Sequence, residues 1–141
     1  WTYSGVAVEA YGSMTLGAIG SVTILESILR RMDGGKIDKA KFAAIKRNGW
    51  AWMQATWTVK SNANNGWGFF PYYLYALERA AMLNGLATLG GHDWYWEGAE
   101  LLISNQAEDG TWFGGILYDT CFGVLFLKRA THNVATHSSA K

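Results

Sequence analysis

The stretch GAELLISNQAEDGTW, Gly98 to Trp112, runs from helix-type residues into an acidic turn and returns at once to an indole. Gly110 permits the positive φ of a sharp reversal. Trp112 can then fold back over the helix just left, while Gln106, placed in that helix's last turn, bonds backbone groups exposed at the helix end. The expected device is a clasp between two helices. A chain held by such clasps is a set of helical hairpins, and the rest of the sequence divides accordingly.

Ser13 is a candidate cap for a helix through MTLGAIGSVTILESILRRM, with a stop at Gly34-Gly35. Asp38 caps a second, in which Phe42, Ile45, Gly49, Trp52 and Thr56 fall on one face. Pro71 suits the first turn of a third, PYYLYALERAAML, closed by Asn84-Gly85. Asp93 opens a fourth, WYWEGAELLISNQ, and Asp119 a fifth, TCFGVLFLKRA. The second and fourth carry charge, with Lys39, Lys41, Lys46 and Arg47 on one and Glu97 and Glu100 on the other, as outer helices do. The first, third and fifth are apolar nearly all round, so Cys121 to Leu127 is expected to be sheltered on both sides, as an inner helix is. A repeat supports the division: NGWGFFPYYLYALERA and DGTWFGGILYDTCFGVLFLKRA share a Gly-aromatic opening and a Leu, charged, Arg, Ala ending, with Arg79 and Arg129 50 residues apart. Each inner helix is expected to end in basic residues, Arg30 and Arg31, Arg79, or Lys128 and Arg129, against the negative end of its dipole.

Composition agrees with a helical core. Half of the 141 residues are hydrophobic and 15% aromatic, with eight Trp, and only 16% are charged against about 25% in ordinary domains. The net charge of +1 is scattered, so no nucleic-acid partner is expected. The single cysteine, Cys121, excludes an internal disulfide and a cysteine-only zinc site. The longest weakly polar stretch, Ala10 to Leu25, is interrupted by Gly and Ser and is shorter than the roughly 20 residues of a spanning helix, so no transmembrane segment is expected.

Gly98, Leu102, Gln106, Gly110 and Trp112 follow the QW motif of the terpenoid cyclase and protein prenyltransferase superfamily, which this stretch resembles; Glu97 and Leu101 depart from it, where the motif prefers a basic and an aromatic residue. GWAWMQ to NNGW, Gly49 to Trp67, is similar to a degenerate second copy without the Gln, and Trp1 to the end of a still earlier one. With YYLYALERA, DWYWEGAE and DTCFGVLFLKRA, the likeness is closest to squalene-cyclase-like repeat proteins of bacteria. The resemblance implies an all-α fold, a partial α/α toroid of outer and inner helices around a cavity, over residues 1–131; the small polar residues at 132–141 are expected to form a flexible tail. A full ring takes more inner helices than this chain supplies. The resemblance therefore implies the C-terminal portion of a longer protein, or an arc completed by other subunits.

As to chemistry, the Asp-rich motif of class II terpene cyclases is missing, Asp33, Asp38, Asp93, Asp109 and Asp119 all being isolated. Tyr72, Tyr75 and Phe122 are the expected cavity-lining aromatics, against the plain alternative that aromatics at helical spacing are core. Asp119 is a candidate catalytic acid. Asp119 and Cys121 also resemble two of the prenyltransferase zinc ligands, but His132 and His137 follow on the same helix and His92 sits before an outer one, which leaves the set short. The plainer alternative is that Asp119 caps its helix and Cys121 is a small buried hydrophobe. His92-Asp93 reads as a helix start, Glu78-Arg79 as a polar edge or ion pair, and Ser13 lacks the partners of a nucleophile. No cofactor is expected. The leading functional expectation is a scaffold or binding module around an apolar cavity that could hold an apolar small molecule. The alternatives are an isoprenoid-handling cyclase or transferase domain whose acid lies outside the chain, and a carbohydrate-active toroid using Glu97, Glu100 or Asp119.

Overall fold

A computed structural model describes residues 1–2, 9–32 and 37–129. The helices are α1 (Gly12–Met32), α2 (Lys39–Ala55), α3 (Phe70–Asn84), α4 (Trp94–Ser104) and α5 (Leu117–Lys128). The only extended pairing among the described residues is two isolated bridges at turns, Asn62 with Gly66 and Leu89 with His92. The protein is all-α.

Local sequence sets most boundaries. Asp38 accepts the Lys41 N–H at 2.9 Å and Asp93 the Trp96 N–H at 2.9 Å, each satisfying a donor that its helix leaves open. Pro71 lies in the first turn of α3, and Gly85, at φ 67°, ends that helix by returning its N–H to the Ala81 and Met82 carbonyls. Ser13 is not a cap. It lies inside α1, where its N–H donates to Asn62 Oδ1 at 2.9 Å and its hydroxyl accepts from Asn62 Nδ2 at 3.0 Å. The cap of α1 thus comes from a buried side chain in the α2–α3 connection, beyond the reach of a local pattern. Asp119 is no cap either, because α5 begins two residues earlier, after Ile116 in extended conformation.

The packing falls into two layers. α3 lies between α1 and α5; α2 packs on α1, and α4 packs on both α3 and α5. Gly12 beside Tyr73 and Thr23 bonded to Asn84 make α1 and α3 parallel. Phe70 against Phe113 and Met82 near Arg129 make α3 and α5 parallel as well. α2 and α4 run the other way: Lys46 of α2 reaches Glu26 of α1 while Gly49 lies against Ile19, and Tyr95 of α4 donates to the Leu127 carbonyl of α5. The core follows this seam: Leu16, Ile19, Met53, Tyr73, Leu74, Leu77, Trp94, Leu102 and Phe126 are fully enclosed. At Gly98 a Cβ would stand 2.5 Å from Phe126 Cζ, so the glycine is what lets α4 meet α5.

Several expectations need correction. α5 is sheltered only towards α3 and α4: Cys121, Val124 and Leu125 are exposed, Val124 by 51%. Cys121 is therefore not a buried hydrophobe. An apolar composition all round showed what α5 could bury, whereas its outer side has no neighbouring helix among the described residues. Arg79 lies mid-helix rather than at the end of α3, and Glu78 beside it is buried rather than on a polar edge. Gly34, Gly35 and the tail at 132–141 lie outside the described residues.

α1 carries a buried charge. Glu26 accepts from Lys46 Nζ at 2.6 Å and Arg30 Nε at 3.1 Å. Burial alone would raise its carboxyl pKa, but the two cations outweigh it and hold the group below the usual carboxylate range. At 21 residues, with mean hydropathy 1.4 over its most apolar stretch, α1 is long and apolar enough to cross a membrane by length and composition, as core helices and signal segments also are. The stretch ending at Leu25 understated it, since the helix continues to Met32. Within this fold 44% of the most apolar 18 residues of α1 is buried.

Candidate functional site

Two aromatic surfaces and one clasp hold the residues singled out by sequence. The clasp has the expected geometry with one change. Trp112 is 4% exposed, folds back onto the end of α4 and donates Nε1–H to the Leu102 carbonyl at 2.7 Å. Gly110 takes φ 83°, and Gln106 donates to the Gly110 carbonyl at 3.0 Å. Gln106, however, lies beyond the helix, which ends at Ser104 with Asn105 as its cap, so it braces the turn rather than the last helical turn. Asp109 tightens the same reversal by accepting from the Thr111 hydroxyl and N–H, which hold its carboxyl below the usual range.

Tyr72, Tyr75 and Phe122 do come together. The Phe122 ring lies 5.4 Å from Tyr72 and 5.2 Å from Tyr75, centroid to centroid, on the side of α3 and α5 where all three are half-buried. Arg79 borders them, its guanidinium 5.8 Å from the Tyr75 ring and within 3.3 Å of the Tyr75 hydroxyl. Between α3 and α1 this face continues into a half-open groove of about 170 Å³ lined by Gly17, Gly20, Ser21, Tyr72, Tyr75 and Arg79, among others. Small residues on α1 make the groove; Arg79 is its only charged lining residue.

Asp119 lies elsewhere. It faces a second cleft of about 320 Å³ at the N-terminal ends of α3 and α5, with Trp67, Phe69, Phe113 and Tyr118. Partial burial pushes its carboxyl above the usual range. Trp67, expected from the sequence to match Trp112, does not fold back but stands 67% exposed in this cleft. Sequence reasoning missed the cleft. The repeated Gly-aromatic openings were the available signal; the left-handed backbone at Phe69 (φ 54°) and Phe113 (φ 53°), which aims the rings, left no trace in composition.

Asp119 and Cys121 have no third ligand among the described residues, where no group of three His, Cys, Asp or Glu could hold a metal ion; His132 and His137 lie outside them. His92 pairs with Glu97 rather than Asp93: its Nδ1 is 2.9 Å from Glu97 Oε1, its ring stacks on Trp57 at 5.0 Å, and Trp57 Nε1 donates to Glu97 Oε2 at 3.3 Å. This cluster ties the α2–α3 connection to α4 at an open surface. Glu100 is exposed three residues further along α4. No protein-family model, curated protein or solved structure matches the chain.

Proposed function

We propose that the chain is a squalene-cyclase/prenyltransferase-like repeat domain, part of an α/α toroid, that acts as a non-catalytic binding module. Its working surface is the aromatic face of Tyr72, Tyr75 and Phe122. The observation that carries this reading is the size and chemistry of the groove beside those rings. About 170 Å³ is below the roughly 300 to 1,000 Å³ of ordinary ligand pockets, and its single charged lining residue is a cation, Arg79. Such a groove can seat part of an apolar chain against π-faces but supplies no acid to start a cyclisation and no carboxylate pair to cleave a glycoside. The flanks of the helical row remain apolar and open, with Leu25, Ile28 and Met32 on α1 and Leu117, Val124 and Leu125 on α5. Further helices, from a longer chain or other subunits, are the partners that would cover them and extend the arc.

The test is titration with farnesol, an isoprenoid alcohol, followed by extraction and product analysis. The proposal expects saturable binding, weakened by Tyr75→Ala and Phe122→Ala but not by Trp67→Ala, and farnesol recovered unchanged. Conversion of the alcohol, or binding indifferent to Tyr75 and Phe122, would overturn it.

A further inference from the structure

We propose that the cleft at the N-terminal ends of α3 and α5 is a binding site for an alkylated ammonium ion, boxed by Trp67, Phe69, Phe113 and Tyr118 and paired with the carboxylate of Asp119. The site is separate from the aromatic face of α3 and α5 and stands on its own observations. Trp67 and Phe113 rings lie 6.5 Å apart and tilted by 46°, and Phe113 meets Phe70 edge-on at 5.5 Å, so the rings form walls rather than a closed stack. Phe69 and Tyr118 stand 68% and 59% exposed at the rim. Both Phe69 and Phe113 sit in left-handed backbone, at φ 54° and 53°, a conformation that a residue with a Cβ takes at a cost and that gathers at functional sites. Both of these aromatics border the one cleft.

The occupant follows from charge. Asp119 is the only charged residue lining the cleft, and its carboxylate has no hydrogen bond or ion pair among the described residues. A purely apolar ligand would cover that charge without compensating it. An anion would meet a carboxylate and few donors, because the N–H groups of Asp119 and Thr120 are bonded to the Ile116 carbonyl, that of Phe70 to Trp67, and Pro71 has none. A sugar needs many hydrogen-bonding partners, and beyond Asp119 the lining side chains offer only the Trp67 indole N–H and the Tyr118 hydroxyl. An ammonium carrying methyl groups matches all of it: the charge pairs with Asp119 and the methyl groups face the negative π-surfaces.

The experiment is a nuclear magnetic resonance titration of the whole chain with choline, read at the Trp67 indole N–H and at the backbone amides of Phe113, Tyr118 and Asp119, which remain as probes when Trp67 is replaced. The comparison ligands are 3,3-dimethylbutanol, its neutral isostere, and methyl glucoside. Saturable choline binding is expected, with the isostere and Asp119→Asn each weakening it about fivefold or more and Trp67→Ala removing it. Because Trp67 and Asp119 lie outside the closed core, unchanged amide spectra confirm that the variants stay folded. Binding of the isostere or the glucoside as tight as choline, choline binding unaffected by Asp119→Asn, or no shift up to about 50 mM choline would each overturn the assignment.

Discussion

Replacing Trp112 by alanine should be among the most damaging single changes in the chain. The indole is 4% exposed, rests against Gly123 of α5 and donates to the Leu102 carbonyl at 2.7 Å. A Trp side chain buries about 150 to 250 Å², worth roughly 4 to 6 kcal/mol at about 25 cal/mol per Å². Denatured chains retain some of that burial, and aromatic-to-alanine truncations in cores cost about 3 to 5 kcal/mol. The expected loss is in that range. Trp112→Phe separates the two contributions. It keeps most of the apolar contact but leaves the Leu102 carbonyl with only the Asn105 N–H at 3.1 Å, for an expected loss of about 1 to 2 kcal/mol. With a urea m-value of about 2 kcal/mol/M, the alanine variant's midpoint should fall by about 2 M. Trp67→Ala is the internal control, expected to cost under about 1 kcal/mol because that indole is mostly in solvent. Equal losses at Trp112 and Trp67, or a Trp112→Ala midpoint unchanged from the parent, would refute the clasp as the device that joins α4 to α5.

Two further outcomes follow from the polar contacts within the fold. Burial works against the Glu26 carboxylate, but Lys46 and Arg30 hold its folded pKa below the unfolded value. Its contribution is therefore complete above the unfolded value of about 4.3 and is lost as pH falls through the lower folded value. Glu26→Gln should cost about 1 to 2 kcal/mol in urea melts at pH 7, and the gap to the parent should narrow as pH drops below about 4; a constant gap would contradict the ion-pair account. Asn62→Ala removes the bonds to the Ser13 N–H, the Ser13 hydroxyl and the Gly68 carbonyl. It should cost about 2 to 4 kcal/mol and sharply raise the exchange rate of the Ser13 amide, whereas unchanged exchange would mean that α1 is capped by other means.

Helix identity was legible wherever the signal was local. Asp38, Asp93, Pro71 and Gly85 each act within a few residues of their position, and each stands where the pattern put it. The signal failed where the partner is distant in sequence. Ser13 looked like a cap because nothing near it reveals that Asn62, 49 residues on, fills that position. Glu26 gave no sign of being closed over by Lys46, because i to i+4 spacing reports Arg30 alone. α5 shows a different limit: apolar composition states what a helix can bury, while burial needs a neighbour, and among the described residues no helix covers the side of α5 that carries Val124 and Leu125. The candidate surfaces divide in the same way. Tyr72, Tyr75 and Phe122 share a face because helical periodicity carries across the parallel packing of α3 and α5. The Trp67 cleft depends on loop backbone at Phe69 and Phe113 that periodicity does not reach.

The proposed binding module is tested most directly at the face of α3 and α5 that would meet a ligand, and ring-to-ligand nuclear Overhauser contacts measure that. With farnesol bound, contacts from its methyl groups to Tyr72, Tyr75 and Phe122 are expected. Contacts confined to Leu117, Val124 and Leu125 on the open flank of α5, or none with farnesol in excess, would contradict it.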